Sequence, residues 1–182
     1  MHFDRQPVLE GRLVELRPLR SDDCEELRAV AADPLIWEQH PDKGRHGEAG
    51  FREFFRESLA SGGALVAIDA ETRQMIGSSR FHGYDDERSE IEIGWTFLAR
   101  SHWGGMYNGE MKQLMLRHAF RFVGSVVFIV SPENVRSQRA VENNGGVLGA
   151  RPDTEGQLVY RITGPVFTEL TQKPSSRSPG GA

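Results

Sequence analysis

The sequence has one cysteine in 182 residues, so no disulfide can form within the chain. Cys24 sits among Asp22, Asp23, Glu25 and Glu26, which disfavour a thiolate; a cysteine nucleophile is a poor reading and a reducing cytoplasm is the expected compartment. Positive charge is not in excess either. With 22 Lys and Arg against 26 Asp and Glu, the net charge of -4 provides no global field for nucleic acid. Long apolar runs are missing: the longest, Val126 to Val130, falls far short of the ~20 residues that cross a bilayer. Met1-His2-Phe3-Asp4 also lacks a basic start followed by an apolar stretch, so neither membrane insertion nor export is expected. The six histidines include no i, i+4 pair flanking a glutamate and no neighbouring cysteine cluster, so no metal site is expected. Gly-x-Ser-x-Gly and Gly-x-x-x-x-Gly-Lys are absent, which leaves hydrolase and P-loop readings unsupported.

What is present is a change of hydrophobic period along the chain. Arg12 to Leu19 alternates as a strand does, and Ser21 before Asp22 and Asp23 predicts a capped helix that stops near Asp33-Pro34. A short helix is expected around Leu35 to Trp37. Phe51, Phe54, Phe55 and Leu59 follow helical spacing after Gly47. Three strands are predicted at Ala64 to Asp69, Met75 to Phe81 and Glu90 to Leu98, forming an antiparallel meander. After Gly104-Gly105, the residues Met111, Leu114, Met115, His118, Ala119 and Phe122 make an amphipathic stripe, on which His118 is read as core. Val126 to Val130 suits a strand buried on both faces, and a helix is expected over about Val135 to Asn143. Strands at Val147 to Ala150 and Gln157 to Ile162 complete a mixed α/β (α+β) domain over residues 1–172. The Pro/Ser/Gly-rich tail at 173–182 is expected to be flexible.

Chemistry is expected where the strand ending at Leu98 gives way to the loop Ala99 to Gly105 and then to the long helix. A strand, a glycine-bearing loop and a helix start together present unpaired backbone N–H groups to an anion. The glycines let phosphate oxygens approach the main chain. Asn134, three residues ahead of Ser137, is a natural N-cap for the next helix.

Glu92-Ile93-Gly94-Trp95, the Trp103-Gly104 loop, and Asn134-x-x-Ser137 with Ala140 and Glu142 together resemble the GNAT superfamily of acetyl-CoA-dependent N-acetyltransferases, in its RimJ/RimL-like branch. Gly11 to Leu19 and Asp33-Pro34 look like the same branch, so the resemblance covers roughly residues 8 to 170. It implies a twisted, largely antiparallel sheet splayed at its centre, helices on both faces, and the pantetheine arm of acetyl-CoA between the parting strands. The usual Gln/Arg-x-x-Gly-x-Gly/Ala loop is altered: Trp103, Met106 and Asn108 stand at its specified positions, with Gly104 and Gly105 just before Met106. Residues implied to hold the cofactor are Phe97 and Leu98, then Trp103 to Gly109 with Tyr107 among them, then Asn134 and Ser137. Arg100, Arg136 and Arg139 are candidate partners for its phosphates.

Amine acylation needs a lone pair on nitrogen, so a proton must be removed. At neutral pH this costs about 1.4 kcal/mol for an amine of pKa ~8 and roughly 4.6 kcal/mol for one near ~10.4. Glu92 matches the family glutamate, has the opposite parity from Ile91, Ile93, Trp95 and Phe97, and is expected to be the base, acting through water. Ser137 either protonates the departing thiolate or belongs to the capped turn, and Tyr107 is a fallback donor. The oxyanion is expected to meet a main-chain N–H between Trp95 and Leu98. Trp37, His40 and Tyr84 are candidate acceptor contacts, with Arg45 and His46 nearby. The acceptor is expected to be a small-molecule amine or a protein N-terminus, and the branch implies a possible homodimer. The alternative is a CoA-binding or partner-binding module of weak or no turnover, suggested by Met106 and Asn108.

Overall fold

The computed structural model describes residues 3–149 and 156–172. Ala150, the expected end of the strand from Val147, and the tail from Lys173, expected to be flexible, lie outside the described residues. Strands β1 (Leu9–Glu10) and β2 (Val14–Pro18) precede helices α1 (Cys24–Ala31) and α2 (Glu48–Ala60). The meander follows as β3 (Ala64–Asp69), β4 (Met75–Asp85) and β5 (Glu90–Leu98). Next come α3 (Met106–Ala119), β6 (Ser125–Val130), α4 (Val135–Glu142), β7 (Val147–Gly149), β8 (Leu158–Thr163) and α5 (Gly164–Gln172). All eight strands form one open sheet in the order β1-β2-β3-β4-β5-β6-β8-β7. Neighbours run antiparallel except β5 and β6, which are parallel.

Side-chain alternation divides the core into two layers. Along β3, Leu65 and Ala67 join the layer under α3, while Ala64, Val66 and Ile68 join the layer under α1 and α2. Met111, Met115 and Leu116 of α3 pack with Val14, Leu16, Ile91 and Ile93 on one face of the sheet. Leu27, Trp37, Phe51, Phe54 and Phe55 pack with Phe97 on the other. The carboxylate of Glu110 on α3 accepts backbone N–H groups of Arg12, Leu13 and Val14 at 3.0, 2.6 and 2.8 Å, which ties the helix to the start of β2. His118 is buried and contacts the Asp4 carbonyl through Nε2 at 2.6 Å, the core role expected of it.

Several local expectations are corrected. The segment around Leu35 is a 3-10 turn, Pro34–Ile36, in which the Asp33 side chain accepts the Leu35 N–H and the Trp37 N–H bonds back to the Pro34 carbonyl. The entry to α1 is held by Asp23 rather than Ser21: its carboxylate accepts the Arg20 N–H and both ends of the Arg17 guanidinium. The helix α5, for which the sequence reading had no element, docks Phe167 against Phe120 at the end of α3. Strand β5 also changes parity. Ile91 and Ile93 lie in the α3 layer, but Trp95 and Phe97 lie in the α1/α2 layer, so these four do not share a side. The cause is a bulge: Gly94 pairs with Arg80 and Phe97 with Ser78, leaving Trp95 and Thr96 opposite the single Ser79. Trp95 has φ of 50°, in the left-handed region.

Candidate active site

The parallel pairing of β5 with β6 runs through Glu90–Ser125, Ile91–Val126 and Glu92–Val127 and then stops. Beyond that register the strands part, since β5 bends at its bulge while β6 stays paired with β8 as far as Val130. A bulge bends its strand and breaks the ladder locally. Here it is fixed by the Ser79 and Thr96 hydroxyls, 2.8 Å apart, and by Arg80, whose guanidinium lies 4.4 Å from the Trp95 ring centroid.

Two chambers open into the gap. The first, of about 550 Å³, is bounded by Phe97, Leu98, Trp103, Gly104, Gly105, Asn108, Arg136, Arg139, Ala140 and Asn143. The second, of about 360 Å³, is bounded by Arg45, His82, Glu92, Gly94, Trp95, Phe128 and Ser131 among others. His40, Thr96, Lys112, Asn134 and Ser137 line both, so they form the throat that joins them.

The wall of the larger chamber is the loop that leads into α3. Gly104 and Gly105 have φ of 109° and 98°, which other residues adopt at a cost, whereas Met106 begins the helix and is 66% exposed. The conformational work of the glycines has moved ahead of position 106, and Met106 does not plug the entrance. No side chain caps α3, leaving its first N–H groups at the positive end of the helix dipole. Trp103 donates its indole N–H to the Leu98 carbonyl at 3.0 Å, and the Arg136 guanidinium lies 3.9 Å from the Trp103 ring centroid. The exposed Arg139 completes a cationic rim.

In the throat, Asn134 is buried and accepts the Ser137 N–H at 3.1 Å, so the asparagine acts as the N-cap expected of it. That bond uses the backbone of Ser137 and leaves its hydroxyl to the cavity. Burial pushes the His40 imidazole down to about 4, with Arg45 and Arg136 adding to the effect, so His40 is neutral at physiological pH. Lys112 is 5% exposed, and its ammonium lies 4.9 Å from the Phe128 ring centroid. Burial alone pushes it down to about 8. Among the described residues no carboxylate forms an ion pair with it.

Of the residues singled out in the sequence, Glu92, Ser137, Asn134, His40, Phe97, Leu98, Trp103, Gly104, Gly105, Asn108 and Arg139 meet at these chambers. Others do not line them. Arg100 is paired with Asp33. Tyr107 donates to Asp69, which also receives His102 and the Glu71 and Thr72 N–H groups; these bonds, that of Thr72 foremost, hold its carboxyl far below the usual carboxylate range. Tyr84 donates to Asp86 and stacks on Phe3. Trp37 is core, donating to the Ala31 carbonyl. Gly109 bonds back to Gly105 within the helix. Sequence reasoning passed over Lys112 and Thr96. Lys112 had a usable signal, because it sits four residues after Asn108 and four before Leu116, on the buried side of α3.

The model of the acetyltransferase (GNAT) domain matches residues 13–147, and the chain belongs to that family as an N-acetyltransferase enzyme. An acetyltransferase from Agrobacterium tumefaciens str. C58 is 28% identical, with TM-score 0.68 over 86% of this chain and 94% of that one. A GCN5-related N-acetyltransferase from Brucella melitensis is 19% identical, with TM-score 0.75 over 92% of this chain and 83% of that one. Mycobacterium smegmatis RimJ in complex with CoA-disulfide is 19% identical, with TM-score 0.62 over 87% and 88% of the two chains. No curated protein matches the sequence. Among the described residues no helix is long and apolar enough to cross a membrane, and no group of His, Cys, Asp or Glu is arranged to hold a metal.

Proposed function

We propose that the chain transfers an acetyl group from acetyl-CoA to a primary amine, either a protein N-terminus or a small-molecule amine, in the RimJ/RimL-like manner. The observation that carries this reading is the separation of β5 from β6 beyond Glu92 and Val127, with one chamber on each side of a common throat. The larger chamber takes the coenzyme. Its pyrophosphate meets the uncapped start of α3 and the Arg136 and Arg139 rim, and its pantetheine arm follows the unpaired edge of β5 toward the throat. The smaller chamber takes the amine, which reaches the thioester from the Glu92 side.

Glu92 accepts the amine proton through water, the lone pair attacks the carbonyl carbon, and the oxyanion is met by a main-chain N–H of the Trp95–Thr96 bulge. Ser137 and Lys112 face the sulfur from α4 and α3. Support for the coenzyme comes from the family match and from the CoA-disulfide held by the similarly folded RimJ. The reaction belongs in the reducing cytoplasm, where the lone Cys24 stays a thiol.

Thiol release from acetyl-CoA over a panel of amines, with Glu92→Gln alongside the parent, tests the assignment. The expected result is turnover that falls about 10²-fold in the variant, more for amines of pKa near ~10.4 than for those near ~8. Equal rates in the two proteins with high-pKa amines would remove Glu92 from the role. Tight CoA binding without thiol release from any amine would leave a binding module.

A further inference from the structure

A buried ammonium without a carboxylate partner is costly, and one placed where two ligand chambers meet calls for a chemical reason. Lys112 is in that position: it lies on the sheet-facing side of α3, 5% exposed, and lines both chambers with Thr96, Asn134 and Ser137. Asn108, one turn earlier on the same helix, carries a buried Oδ1 with no hydrogen-bond partner, so this face of α3 is polar toward the gap and unsatisfied. Among the described residues, the other charged and titratable groups around the chambers are Glu92 from β5, His82 from β4, His40 and Arg45 from the segment between α1 and α2, His102 from the loop before α3, and Arg136 and Arg139 from α4. Glu92 is the single acid of this group, and it belongs to the smaller chamber.

We propose that Lys112 is a catalytic residue that stabilises the thiolate leaving group of acyl transfer. The inference rests on the assignment of the throat as the thioester site. In the step it serves, the amine lone pair forms the C–N bond and the carbonyl pair moves onto oxygen. Collapse restores the carbonyl, the C–S bond breaks and its electron pair leaves on sulfur. The nitrogen gives up one proton toward Glu92 and water, and the sulfur departs as a thiolate beside the Lys112 ammonium, taking a proton from water after release. A thiolate of lower basicity is a faster leaving group. A positive charge within about 4–6 Å lowers an acid's pKa by about one to three units. The role differs from that of Ser137, which offers sulfur a neutral hydroxyl.

The test uses free CoA as probe and needs no acceptor. Thiolate absorbance is titrated against pH in the complex of the full chain with CoA, subtracting the complex with desulfo-CoA to remove Cys24 and tyrosine signals. The expected result is at least ~10-fold more thiolate in bound than in free CoA at equal pH below its midpoint, corresponding to the lower end of that range. The enrichment disappears in Lys112→Met and Lys112→Gln, with CoA affinity changed less than ~3-fold, and persists in Lys112→Arg. A bound thiol that ionises like free CoA, or an enrichment that survives in either neutral variant, overturns the proposal while leaving CoA binding in place. Absence of CoA binding by the parent protein overturns the assignment of the throat itself.

Discussion

Single residues at the throat trade folding stability for chemistry. Lys112 is the clearest case, since its amine is pushed down to about 8 in the fold against 10.5 in the open chain. Between those values the unfolded state binds more protons, so stability rises with pH through that window; below it the full penalty is present. Lys112→Met should therefore be more stable than the parent at pH 7, by about 1–3 kcal/mol, with the difference vanishing above pH ~10.5. Urea midpoints at pH 7 and pH 10.5 check this; a variant less stable than the parent at pH 7 would contradict it. Lys112 was not read from the sequence because a lysine one position from Met111 looks like the solvated edge of an apolar stripe. The predicted stripe counted Leu114, whereas the buried face runs through Met111, Lys112, Met115, Leu116 and Ala119. That shift turns Lys112 inward. Glu92 and Ser137 were legible because their neighbours in the chain, Ile93-Gly94-Trp95 and Asn134, carry recognisable patterns.

At the scale of elements, the anion site proposed for the coenzyme depends on the loop and helix from Gly104 to Ala119. Gly104 and Gly105 adopt positive φ, so an L side chain at Gly105 costs about 1–3 kcal/mol of strain and reshapes the helix entrance. Met106, exposed and already helical, does neither. Calorimetry with CoA should show Gly105→Ala weakened by about tenfold or more, in keeping with about 1.4 kcal/mol per decade, and Met106→Ala within about twofold of the parent. The reverse ordering would return the glycine role to position 106. Element types were readable from period: the helical spacing over Phe51 to Leu59 and the change of period from Ala64 to Asp69 appear as α2 and β3. Parity along β5 was not, because one bulged residue reverses which face every later side chain meets, and Trp95 in the left-handed region has no sequence signature. The exit of β4 at Asp85, past the expected Phe81, reflects pairing with β5 as far as Asp85–Glu90, a tertiary contact that local pattern does not report.

At the scale of the molecule, two core layers hold one sheet between them, and the sheet opens where the parallel pairing of β5 with β6 stops. Helix α3 lies under one face and α1 with α2 under the other, and residues from both sides, Lys112 and His40, line the throat where the two chambers meet; in the proposed reaction one chamber receives the coenzyme and the other the amine. The smaller chamber, proposed for the amine, carries Arg45, His40 and His82 beside Glu92, and aromatic walls from Trp95 and Phe128. The most direct measurement is a crystal structure with CoA bound. The account predicts a pantetheine arm between β5 and β6, pyrophosphate at the N–H groups that open α3, and sulfur among Thr96, Lys112, Asn134 and Ser137. CoA seated elsewhere, with the gap beyond Glu92 and Val127 closed by side chains, would contradict it.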